Sequence, residues 1–168
     1  MKIYLLVAAL LISKFSYSQA DNNNTRPAFT LKLYVDDTTF YTAPMGATSY
    51  IVKESAVQVF PGEKIYVEAD IANDSLVNFK VVPENLNKGK TLVITFTQTH
   101  QDKKHEQMIL SVTNPFAKNL EYHSQIHLMK YKKWVTTSVL PVKPGLVSYE
   151  NWPDIITTIV LYDLRLKD

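Results

Sequence analysis

The 168-residue sequence predicts an all-β protein. Three observations carry that expectation. Apolar residues alternate with polar ones at period two along most of the chain, as half-buried strands require. The alternating runs are short, and clusters of Asn, Asp, Gly and Pro separate them at roughly 8–12-residue spacing. No segment beyond residue 18 sustains apolar residues at i, i+3, i+4 and i+7, the stripe of an amphipathic helix. Most runs have one apolar and one polar face, which two stacked antiparallel sheets demand. The expected architecture is therefore an antiparallel β-sandwich, immunoglobulin-like or fibronectin-like in layout only. The paired cysteines of true immunoglobulin domains are missing, since the chain has no cysteine.

The first eighteen residues stand apart. Met1-Lys2 is a short positive start, Ile3 to Ile12 is an unbroken apolar run, and Ser16-Tyr17-Ser18 places small residues before a cut at Gln19. That order predicts a secretory signal peptide over 1–18. The run is too short to cross a bilayer, which takes roughly 20 residues as a helix. We expect an exported protein, periplasmic or extracellular, whose mature form does not span a membrane. Residues 19–28 read as a flexible polar tail and 29–168 as one sandwich domain, an ordinary size for a single core.

From Phe29 the strands follow in order. Phe29, Leu31, Leu33 and Val35 share a face, and Asp36-Asp37 closes the run with turn chemistry. Thr38 to Ser49 reads as a short extended segment plus loop. Tyr50 to Val52 and Ala56 to Phe60 are strands, and Pro61-Gly62-Glu63 is a tight turn. Ile65, Val67, Ala69 and Ile71 form the next apolar face, and Ala72 to Ser75 turns into Leu76 to Val82. Leu92, Ile94 and Phe96 mark a strand from Thr91 to His100. The polar connector Gln101 to Lys104 leads to a strand with Met108, Leu110 and Val112 inward. Leu120, Tyr122, Ser124, Ile126 and Leu128 line another, and Trp134 to Leu140 follows. Pro141 to Asp154 reads as the longest irregular stretch. Ile155 to Leu166 is the last strand, apolar on both faces near its middle.

Charge excludes some functions. Lys2 and Lys14 leave with the leader, so 18 basic residues fall to 16 against 16 acidic ones. A neutral chain with no basic stripe is not expected to bind nucleic acid. Catalytic motifs are missing too: no Gly-x-Ser-x-Gly elbow, no His-Glu-x-x-His and no phosphate loop. The chain is expected not to be an enzyme and to need no cofactor. His123 and His127 lie four apart on one strand, about 13 Å at 3.3 Å per residue, too far to share one zinc ion. His100 and His105 bracket the connector and should face each other with Cβ atoms about 5 Å apart. Two imidazoles at that spacing can hold a metal, with Asp102 as a third ligand. A polar hairpin tip accounts for the same residues, and no metal is expected.

The remaining lead is aromatic. Tyr34 and Tyr66 fall on predicted polar faces, and Tyr149 and Trp152 lie with Val147 in the irregular stretch. Exposed rings stack on sugars or anchor protein partners; the same loop could instead plug one end of the sandwich. The favoured reading is a non-catalytic binding module for an envelope or extracellular protein or glycan, with Val147, Tyr149, Trp152, Tyr34 and Tyr66 as contacts. A small metal-dependent or hydrolytic enzyme is one alternative. A structural piece of an envelope complex, pairing through an exposed final strand, is another.

Overall fold

A computed structural model describes residues 24–53 and 55–168. The expected leader over 1–18 and the start of the polar tail lie outside the described residues. The described chain is all-β, and every strand pairing in it is antiparallel. The strands are β1 (Thr25–Arg26), β2 (Phe29–Tyr34), β3 (Phe40–Met45), β4 (Thr48–Ser49), β5 (Ile51–Val52), β6 (Ala56–Val59) and β7 (Glu63–Ala72). They continue as β8 (Ser75–Val82), β9 (Thr91–Gln101), β10 (Lys104–Thr113), β11 (Asn119–Leu128), β12 (Lys133–Thr137), β13 (Val147–Trp152) and β14 (Ile156–Lys167).

The large sheet falls into two runs. One is β12-β11-β14-β6-β5, and the other is β8-β7-β9-β10-β13. A single rung, Arg165 opposite Ser75, links them. Both runs send their alternate side chains into one core: Val57, Leu120, Ile159 and Leu161 from the first, Val67, Ile94, Phe96 and Leu110 from the second. Burying such side chains contributes about 1.5–3 kcal/mol each, the main force that holds the two runs together. A smaller core of Leu31, Leu33 and Phe60, with Phe29, Met45 and Ile155 around it, forms beneath the β2–β3 hairpin.

Positive backbone angles set the registers. Two-residue turns join β7 to β8 at Asn73-Asp74 and β9 to β10 at Asp102-Lys103, with φ of 50° and 61° in the first and 50° and 67° in the second. Both central φ values being positive makes these the mirror-image turns whose twist suits a hairpin. Asn78 (φ 53°) and Asp163 (φ 54°) are extra residues, one in β8 and one in β14. Each shifts the alternation by one, so Leu76 and Phe79 both point inward, as do Leu161 and Leu164.

Several expectations need correction. The polar tail over 19–28 is not frayed at its end: Thr25 and Arg26 pair with Ser49 and Thr48, and Arg26 is only 1% exposed. Glu63 and two aromatic rings neutralise and cover the buried guanidinium. Thr38 to Ser49 contains two strands rather than mostly loop. The strand expected over Trp134–Leu140 covers Lys133–Thr137. Pro141 to Asp154 is not irregular throughout, because β13 lies in register against β10 from Val147 to Trp152. Its outward positions, Val147 and Tyr149, are more apolar than its inward Ser148 and Glu150, so the pattern masked the strand. Ile71 is exposed at its hairpin tip. The last strand is not the exposed edge that the structural alternative required: its two apolar faces suit an interior position, and it is flanked by β11 on one side and by β6 and β8 on the other. β7, β8, β9 and β10 are all neighbours in one run.

Candidate functional site

The β9–β10 turn brings together four of the residues singled out above: Tyr34, His100, Asp102 and His105. His100 and His105 are cross-strand partners, as expected. Their rings are nonetheless engaged separately. His100 packs on the Tyr34 ring with centroids 4.3 Å apart. His105 Nε2–H donates to the Pro153 carbonyl at 3.0 Å, which leaves Nδ1 to accept from Gln98 Nε2–H at 2.9 Å. Gln98 in turn accepts from the Tyr34 N–H at 2.9 Å and donates to the Tyr34 carbonyl at 2.8 Å. Its amide thus satisfies β2 as a neighbouring strand would. His105 is a joint between β2, β9, β10 and the residue after β13, with no free lone pair for a metal. Among the described residues, no three His, Asp or Glu side chains are placed to hold a metal ion. Asp102 lines a cleft of about 570 Å³ with Asp36, Asp37, Lys104, His105 and Glu106. The Thr38 hydroxyl, the Thr38 N–H and the Thr39 side chain hold the Asp36 carboxyl below its usual pKa. That carboxylate is committed to its own turn.

A second cleft, about 590 Å³, lies between the β2–β3 turn and the β11–β12 turn. Val35, Phe40, Tyr41 and Met129 give it apolar walls, and Thr39, His127, Lys132 and Thr157 add polar groups. His127 Nδ1 is 2.7 Å from Thr157 Oγ1, and the ring meets Trp134 edge-on at 5.3 Å. The bulge at Thr157 sets this hydroxyl against His127. Sequence reasoning missed this cleft. Phe40-Tyr41 and Lys132 are visible as turn-flanking residues, but nothing local says that two turns 90 residues apart meet.

The third surface is β13, at the edge of the second run. Tyr149 is 67% exposed, and Val147, Leu146 and Leu140 are exposed beside or near it in the chain. Trp152 behaves differently: it is half-buried, packs against the main core and donates from Nε1–H to Thr137 Oγ1 at 3.3 Å. Glu150 accepts from the Leu140 N–H at 3.0 Å. The expected loop is thus split: Val142 lies in the main core and Trp152 packs against it, while Val147 and Tyr149 are exposed. Tyr66 lies away from all three surfaces on β7, half-buried, with Lys64 Nζ 5.5 Å from its ring centroid. A polar pocket of about 380 Å³ by β11 and β14 holds His123, Asp163 and Arg165; Arg165 pairs with Asp163 at 2.7 Å, and His123 Nε2 lies 3.7 Å from the same carboxylate.

No protein-family model matches this chain, and neither a curated protein nor a solved structure does.

Proposed function

We propose that this chain is an exported, non-catalytic β-sandwich that binds a protein partner through the edge formed by β13. Its two strand runs converge on one core, which supports a two-layer stack. The order of residues 1–18 supports export. The observation that carries the binding reading is the exposure of Tyr149 and Val147 on a strand that, among the described residues, pairs with β10 alone. An edge strand presents unpaired N–H and C=O groups, and an extended segment of a partner can add to it, with side chains of alternate residues supplying specificity. Tyrosine is among the residues enriched at the energetic centre of such contacts.

The test starts from the whole chain expressed with its leader; the released protein should begin at Gln19. Envelope extracts from the producing cell then supply the partner for capture. Tyr149→Ala, exposed and outside the core, should leave stability within about 0.5 kcal/mol and weaken capture about tenfold or more. Trp152→Ala should instead cost about 2 kcal/mol of stability, since part of a packed core is removed. A partner held equally by wild type and Tyr149→Ala would overturn the assignment of this edge.

A further inference from the structure

We infer that the cleft between the β2–β3 and β11–β12 turns is a binding site for a carboxylate-bearing sugar, a uronic-acid unit of an acidic glycan. This site is separate from the β13 edge and does not depend on it. The argument runs from the lining. Of the groups that line the cleft, the two able to carry positive charge are Lys132 and His127, and no carboxylate lines it. Asp36 and Asp37 open instead onto the neighbouring clefts. The ring of His127 is oriented by its Thr157 contact at Nδ1, while Nε2 has no hydrogen-bond partner among the described residues. The Lys132 ammonium suits an anionic group with oxygen acceptors, and His127 joins it through Nε2–H in the tautomer whose Nδ1 accepts from the Thr157 hydroxyl.

The rest of the lining selects what carries that anion. Phe40 is 54% exposed and Tyr41 is also exposed, so two aromatic rings line the cleft with surface open to solvent. Lys32 Nζ lies 4.6 Å from the Phe40 centroid, adding positive charge beside the same ring. The volume of about 590 Å³ suits a ligand of one or two rings. The cleft is open, so its occupant keeps one side in water. A wholly apolar carboxylate would gain little there, because most of its surface would stay wet. A pyranose ring has an apolar C–H face for Phe40 or Tyr41 and a hydroxyl rim for solvent, Thr39 and Thr157. A uronate adds the carboxylate that Lys132 and His127 call for.

The experiment is a titration of the whole chain, followed by amide NMR shifts and calorimetry. The probes are trigalacturonate, neutral maltotriose, phenylacetate and an acidic peptide. Trigalacturonate should shift resonances of residues 39–41, 127–132 and 157, and bind at least about tenfold more tightly than maltotriose. Lys132→Gln and Phe40→Ala, both exposed, should each weaken it about tenfold, and rising salt should weaken it in wild type. Each variant is first shown to keep the wild-type melting temperature; if Phe40→Ala does not, Lys132→Gln alone decides. Absence of shifts at the cleft, equal binding of maltotriose, or unchanged affinity in Lys132→Gln would each overturn the site. Tighter binding of phenylacetate or of the peptide would overturn the sugar.

Discussion

Burial raises the Tyr122 hydroxyl to a pKa of about 12; the Glu150 charge adds to the rise, and the Ser148 hydroxyl pulls the other way. Among the described residues Tyr122 Oη and Ser148 Oγ are both buried without a hydrogen-bond partner, so the phenol is unpaired there. The folded state binds this proton more tightly than the unfolded chain, whose phenol titrates near pH 10. The stability it contributes is complete below pH 10 and is lost as pH rises toward 12, by about 2–3 kcal/mol. Tyr122→Phe removes both the titration and an unsatisfied hydroxyl. It should unfold in urea at pH 7 with stability equal to or about 1 kcal/mol above wild type, and show a shallower decline above pH 10, the remainder coming from Tyr50 and Lys118, whose pKa values are also raised. A decline as steep as that of wild type would show that Tyr122 does not carry it. Arg26 is the opposite case at this scale. Its guanidinium is bonded to Glu63 at 2.8 Å, to the Ser49 and Gln58 carbonyls and to Thr48, beneath the Tyr50 and Phe60 rings. Nothing near Arg26 in the chain announces this, because every partner arrives from at least 22 residues away.

At the level of elements, the hairpins were the legible part. The reversal between β9 and β10 was legible as a four-residue connector, Gln101–Lys104, of which only Asp102-Lys103 lies outside the strands, and the cross-strand pairing of His100 with His105 followed from it. Lys103 occupies the second turn position at φ 67°, where a side chain is strained and glycine is not. Lys103→Gly should therefore raise stability by about 0.5 kcal/mol, read from the urea midpoint, despite the added freedom of the unfolded chain. A lower midpoint would mean that the strain is smaller than that entropy. The bulges were not legible. Asn78 and Asp163 are residue types that tolerate positive φ, but the same residues also fit an unbroken strand. Only the partner strand, with one residue fewer, shows that they are extra.

For the whole molecule, the division into two cores has a consequence. Among the described residues the β2–β3 hairpin pairs with no strand of the large sheet; its ties include the small cluster around Phe60, Gln98, the Tyr34–His100 ring contact and one backbone bond from the His105 N–H to the Val35 carbonyl. A unit with few long-range ties opens before the rest. Amides of Leu31 and Leu33 should exchange with solvent faster than those of Ile94 and Leu110, under conditions where β9 and β10 stay closed. Gln98→Ala should speed the hairpin amides further and leave β9 and β10 unchanged. Equal exchange across both regions would show one cooperative unit instead. The clefts on either side of the β2–β3 turn depend on this hairpin, so their shape follows its position.

The all-β class was determined by the sequence alone, because period-two alternation and turn chemistry are local and need only neighbouring residues. Tyr34, His100 and His105 could likewise be placed at turns and faces. Which turns meet, and whether an exposed-looking residue is buried, was decided by tertiary structure: Arg26 went inside, β13 emerged from a stretch with an inverted pattern, and the 127–132 turn came to face Phe40. Contacts between segments far apart in the chain depend on loop closure and on the shared burial of faces, and one-dimensional periodicity records which residues seek burial without recording against what.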